Sequence, residues 1–90
     1  MAKIKFTSAL KRFFPSLNEM DIEGETVAQV LANIEKVYPG ITSYLIDDQG
    51  HLRKHLNIFV RGDLIKDRHT LNDRVNGNDE LLIFQALSGG

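Results

Sequence analysis

The chain has 90 residues, with 11 basic and 12 acidic side chains and a formal net charge of −1, which makes it one small domain. That balance speaks against a general nucleic-acid binder, which carries a basic excess. Cysteine is absent, which removes a disulfide framework, a thiolate metal site and a nucleophilic thiol. A chain of this size buries only about 60–65% of its unfolded surface, leaving no room for a deep active-site cleft. No apolar run approaches the ~18 residues that span a bilayer. Met1-Ala2-Lys3-Ile4-Lys5 does not read as a signal peptide, so the expected location is the cytoplasm.

Lys3-Ile4-Lys5-Phe6-Thr7 alternates polar and apolar residues, the pattern of a half-buried strand with Ile4 and Phe6 inward. The pattern blurs through Ser8 to Phe14, and Pro15-Ser16 breaks the chain. A second short strand fits Asn18 to Ile22, giving a hairpin with a loose turn that ends at Gly24. Phe13-Phe14 reads as hairpin packing rather than a base-stacking platform, given the charge balance.

Thr26-Val27-Ala28-Gln29 is a capping box, with a hydroxyl at the cap and a glutamine three residues on. Val27, Val30, Leu31, Ile34 and Val37 then fall on one helical face, and Pro39-Gly40 ends the helix. Ile41 to Lys54 reads as a longer connection, in which Leu45 and Ile46 pack as a short turn or edge segment. Asp47-Asp48-Gln49-Gly50 is a solvated turn; it lacks the ligand spacing and closing glutamate of a calcium loop. His51 and His55 lie four apart, a spacing that suits a metal pair on a helix. Gly50 before them, strand signals after them and the want of a third ligand make solvent-exposed histidines the better reading.

Leu56 to Val60 is a strand, Arg61-Gly62-Asp63 a turn, and Leu64-Ile65 the start of a short return strand. Thr70 to Asp73 suggests a single helical turn, and Asn76 to Asp79 a further turn. Leu81 to Leu87 is the last strand, followed by Ser88-Gly89-Gly90. One helix burying one face among mostly antiparallel strands is an α+β domain. The first and last strands are both apolar on one face and cannot form a hairpin. Pairing them parallel at the sheet centre covers both.

Two terminal glycines without Cβ atoms lose most entropy on ordering. They should project as a slim tail ending in a carboxylate that fits a narrow channel. The domain is therefore expected over residues 1–87, with 88–90 as a flexible tail.

This order resembles the ubiquitin-like β-grasp superfamily, a mixed sheet of four to five strands packed on one main helix. More narrowly, it is similar to the small sulfur carriers of the MoaD/ThiS type. The likeness rests on Gly24-Glu25-Thr26-Val27 with its helix, Asn57-Ile58-Phe59-Val60, Asp79 to Ile83, and Gly89-Gly90. Tyr38-Pro39-Gly40-Ile41, then Leu45, Asp47, Gly50, Leu52 and Asn57-Ile58, resembles carriers with a longer connection after the helix, some of which serve cysteine synthesis. The longer middle of the chain departs from the shortest carriers and leaves the pathway open: molybdopterin, thiazole, cysteine or another.

The resemblance implies a carrier without catalytic activity of its own, able to act as the small subunit of a synthase. A ubiquitin-activating-type adenylyltransferase would adenylate the carboxylate of Gly90, next to Gly89, and sulfur would displace the adenylate to leave a thiocarboxylate. ATP and Mg²⁺ belong to that partner, and this chain binds no cofactor or metal. A sulfur-acceptor enzyme, a large synthase subunit or one of cysteine synthase type, would take the product. No nucleic acid or membrane is implied. Two other readings start from the same residues: a modifier joined to lysines through Gly90, and a non-covalent interaction module for which the glycines are incidental.

Strand parity adds a surface. If Leu81 and Ile83 point inward, Leu82 and Phe84 point outward, and Phe59 does so beside Ile58 and Val60. Phe59, Leu82 and Phe84 should then share the open face, flanked by Lys3 and Lys5 on one side and Arg61 on the other. Scattered exposed apolar residues are ordinary. A cluster beside a reactive tail marks an interface, here with an apolar centre and a rim of positive charge. The expected core is Ile4, Phe6, Val27, Val30, Leu31, Ile34, Ile58, Val60, Ile65, Leu71, Leu81 and Ile83.

Overall fold

The computed structural model describes residues 1–12, 14, 17 and 19–85. The elements are β1 (Ala2–Phe6), α1 (Ser8–Lys11), β2 (Met20–Ile22), α2 (Val27–Val37), α3 (Thr42–Leu45), β3 (Leu56–Val60), β4 (Asp63–Leu64) and β5 (Glu80–Gln85). The five strands form one sheet in the order β2-β1-β5-β3-β4. The last strand lies parallel to β1, with Ile4 opposite Leu81 and Phe6 opposite Ile83. It lies antiparallel to β3, with Ile58 opposite Ile83 and Leu56 opposite Gln85. The sheet is mixed and packs on one main helix.

Alternation dictates which side chains enter the core. Ala2, Ile4 and Phe6 are buried while Lys3 and Lys5 face out; Leu56, Ile58 and Val60 are buried, as are Leu81 and Ile83. All twelve residues expected in the core are buried. Helix α2 covers them with Val27, Val30, Leu31 and Ile34. Its first turn is capped by the Thr26 hydroxyl, which accepts from the Gln29 amide at 3.2 Å. The Gln29 side chain reaches back one residue further than an ideal box, accepting from the Glu25 amide at 2.9 Å. Just before the cap, a Cβ on Gly24 would lie 2.7 Å from Val30 Cγ2 and 2.9 Å from its amide nitrogen. The absent side chain is what lets the chain enter α2 this closely.

Five expectations are corrected. Val37 is 54% exposed. The helix ends there, and Tyr38, four residues beyond Ile34, packs on the core in its place. The link from β1 to β2 is not a loose turn: α1 forms within it and buries Leu10. Phe13 and Asn18 lie outside the described residues; Phe14 packs edge-on against Tyr44 of α3, with ring centroids 5.3 Å apart, rather than within a hairpin. The connection after α2 is part of the core, because Ile41, Leu45 and Leu52 are buried.

The fifth correction concerns residues 70–73. The turn lies earlier, closed by the Leu71 amide donating to the Asp67 carbonyl at 3.2 Å. Leu71 is then left-handed at φ 58°, which stops propagation. Asp67 organises this turn. Its carboxylate accepts from the Thr70 hydroxyl and from the amides of His69, Thr70 and Asn72. These donors, the Thr70 hydroxyl foremost, hold its pKa well below the usual carboxylate range.

Candidate functional site

The open face of the sheet is built by cross-strand register. Lys5 lies opposite Leu82, Leu82 opposite Phe59, and Phe59 opposite Leu64. Directly opposed residues share a face, so these four form one row across β1, β5, β3 and β4. Phe84 stands one step further along β5, opposite Asn57. Its ring meets that of Phe59 edge to face, at 6.5 Å and 89°. Phe59 and Leu82 are half-buried, whereas Phe84 is 37% and Leu64 50% exposed. A shallow depression of about 540 Å³ lies beside them, lined by Phe59, Arg61, Gly62, Glu80 and Leu82.

The three apolar residues expected on this face are therefore together. Leu64 extends them and was not among those named from the sequence. The signal was present: a two-residue turn at Arg61-Gly62 opposes Val60 to Asp63, and so Phe59 to Leu64. Both turn residues take positive φ, 53° and 85°.

The cations sit where expected but are not a bare positive rim. Lys5 Nζ lies 3.2 Å from Glu80 and 3.8 Å from Glu19. The hydrogen bond and charge of Glu80, then the charge of Glu19, raise its pKa. Lys3 is exposed beside Asp21 and Glu80 in the register. Arg61 donates to Asp79, a carboxylate that is only 7% exposed and also accepts from the Asn76 amide at 2.7 Å. A buried carboxylate demands such partners. Arg61 is thus held at the turn by Asp79, where it also flanks the apolar row.

Gln85 is the last described residue of the last strand. The Gln85 amide donates to the Thr7 hydroxyl at 3.2 Å. With Leu56 opposite it, Gln85 lies between the end of β1 and the start of β3. Gly89 and Gly90 lie outside the described residues.

His51 and His55 are not on a helix. His51 stacks on His69 with ring centroids 4.5 Å apart and planes 9° from parallel, while His55 is exposed. Among the described residues no three metal-ligating side chains converge, and no helix is long and apolar enough to cross a membrane. Asp47 is a turn former, accepting from the Gln49 and His51 amides at 2.9 and 3.0 Å.

The geometry has relatives. The chain from the crystal structure of the Amycolatopsis orientalis BexX/CysO complex superposes with a TM-score of 0.86 over the whole of both chains, at 21% identity. Small archaeal modifier protein 1 from Haloferax volcanii superposes with a TM-score of 0.77 over 99% of this chain and 98% of that one, at 26% identity. By sequence, that modifier is 29% identical over 72 residues, covering 79% of this chain and 78% of the relative. Sulfur carrier protein CysO of Mycobacterium tuberculosis is 29% identical over 69 residues, covering 74% of each. These neighbours share the ubiquitin-like β-grasp fold. The ThiS family model matches residues 4–90, nearly the full length, and so the chain belongs to the ThiS family.

Proposed function

We propose that this chain carries sulfur as a thiocarboxylate on Gly90. The observation that carries the reading is the ThiS match, which runs through Gly89-Gly90, together with a relative named as a sulfur carrier. The chemistry follows from the carboxylate's weakness as an electrophile. A ubiquitin-activating-type adenylyltransferase attaches AMP from ATP with Mg²⁺ and releases pyrophosphate. A sulfur nucleophile then displaces AMP. A sulfur-acceptor enzyme of a cofactor or cysteine pathway takes the sulfur, and water supplies the oxygen that restores the carboxylate as the C–S bond breaks.

The chain contributes no acid, base or metal to these steps. It presents a slender tail of residues 88–90 on the domain of residues 1–87, and a face by which the enzyme holds it. Phe59, Leu82 and Phe84, with Leu64, are the apolar centre of that face; Lys3, Lys5 and Arg61 flank it. Lys5 and Arg61 share their charge with carboxylates of the chain, so apolar contact supplies most of the affinity. With its ATP-dependent partners, the carrier works in the cytoplasm.

A second reading has its own support in the relative named as a modifier: Gly90 would be joined to lysines of other proteins after the same adenylation. The test is intact-mass analysis of the chain after incubation with the adenylating enzyme, ATP and sulfide. The mass gain of one oxygen replaced by sulfur supports the carrier. Covalent conjugates without a thiocarboxylate support the modifier. Neither product, with an enzyme shown to be active, rejects both.

A further inference from the structure

The net charge of −1 conceals a segregation along the sheet. At the end where β1 and β5 begin, acids dominate: Asp21, Glu23, Glu25, Asp79 and Glu80 gather there. Of the cations at this end, Arg61 is engaged with Asp79 and Lys5 with Glu80, while among the described residues Lys3 and Arg74 make no ion pair. The other end, where β5 leaves the sheet, has the opposite character.

There, two cationic segments flank the exit. On one side β1 passes into α1, and Lys11 and Arg12 are exposed. On the other, the turn before β3 is closed by the Leu56 amide on the Arg53 carbonyl at 3.0 Å, which exposes Lys54 and His55. Arg68 joins this side. Its guanidinium donates to the Asn57 side chain at 2.9 Å and to the Arg53 carbonyl at 2.7 Å. Arg53 in turn donates to the Ser43 carbonyl at 3.0 and 3.1 Å. Through α3 and the Phe14–Tyr44 contact the two sides are continuous. Both arginines give their hydrogen bonds to neutral oxygens, and Arg53 also acts through its charge on Asp47. Among the described residues none of Lys11, Arg12, Arg53, Lys54 or Arg68 lies within 4.0 Å of a carboxylate.

We propose that these five cations form a collar around the tail's exit that docks on an acidic protein surface rimming the channel of the adenylating enzyme. This rests on the reading of Gly90 as the residue offered to that enzyme. Five residues, 86–90, follow Gln85, and even fully extended they reach only about 17 Å. For Gly90 to enter a site, the surface at the base of the tail must come up against the mouth of that site. Like charges concentrated there, with acids at the far end, turn the chain tail-first in the partner's field. That raises the rate of productive encounter more than it raises affinity.

The test is stopped-flow association of the full chain with the purified adenylating enzyme, at about 20 mM and about 500 mM salt. ATP–pyrophosphate exchange is run in parallel. Lys54→Glu and Arg12→Glu carry no hydrogen-bonding duty among the described residues. Each should slow association about threefold or more at low salt, and the double variant about tenfold, with the differences gone at high salt. Arg74→Glu, at the opposite end, should change the rate by less than about twofold. All variants should still support exchange when saturating. An unchanged rate in the double variant, or an equal loss in Arg74→Glu, overturns the collar while continued exchange leaves the carrier reading standing. Absence of exchange with the unmodified chain overturns both.

Discussion

Replacing Phe84 with Asp separates docking from folding. Phe84 is 37% exposed, and within the chain its ring meets Phe59 edge to face. An aromatic pair of this kind contributes about 0.5–1.5 kcal/mol beyond simple burial. Folding should therefore lose about 1 kcal/mol, against the roughly 5–10 kcal/mol typical of such a domain. A fall of about 4–8 °C in melting temperature corresponds to that loss. Binding should suffer more. A central aromatic anchor is worth about 2 kcal/mol or more, which is roughly a thirtyfold rise in Kd. The ionised carboxylate adds a desolvation cost against the apolar neighbours Phe59 and Leu82. Titration calorimetry against the adenylating enzyme measures the affinity, and circular dichroism melts check the fold. Phe84→Ala removes the ring without adding charge and should lose affinity in the same direction. Unchanged affinity in both variants, with the fold intact, refutes the open face as the docking surface. Unfolding by Phe84→Asp alone means that the ring supports the sheet more than its exposure indicates, and Phe84→Ala then decides the question of docking.

Three further outcomes are expected. Deleting Gly90 should leave the melting temperature within about 1 °C, because a terminal glycine has no side chain to bury; it should abolish exchange and thiocarboxylate formation by mass analysis. Ile58→Ala removes three buried carbons from a position with no exposure; at about 0.8 kcal/mol each plus the cavity left, a denaturant melt should show a loss of about 2.5–4 kcal/mol. Acid should weaken the fold partly through Glu35, whose carboxylate accepts from the Gly40 and Thr42 amides at 2.6 and 3.0 Å and from the Thr42 hydroxyl at 2.8 Å. The Gly40 amide leads in holding its pKa below the ordinary 4.5. The native state then binds fewer protons, so this stabilisation is complete above the ordinary value and fades as the pH drops below it. Glu35→Gln should flatten the fall in melting temperature between about pH 5 and pH 3; an unchanged slope would deny Glu35 that role.

Parity and periodicity made much of the candidate site legible. Alternation in Leu81-Leu82-Ile83-Phe84 and in Ile58-Phe59-Val60 is a local property, because successive side chains must leave opposite faces. Once the strand order is right, the apolar row follows. What alternation omits is the partner of each charge. Asp79 looks like a turn residue in the sequence, yet it is buried and claims Arg61. Lys5 finds Glu80 only because β1 and β5 are neighbours, although they stand at opposite ends of the sequence.

The sequence by itself determined the helix with its Thr26 cap, the strands and the inward and outward faces. These depend on residues within a turn or two of one another, where sterics and hydrogen bonding act regardless of the rest of the chain. The tertiary structure decided where α2 stops facing the core, that Ile41, Leu45 and Leu52 join it, and that Lys5 and Arg61 meet carboxylates while Lys11, Arg12 and Lys54 meet none among the described residues. Those outcomes depend on contacts between residues far apart in the chain, and only the closed sheet sets the distances at which charges meet or miss.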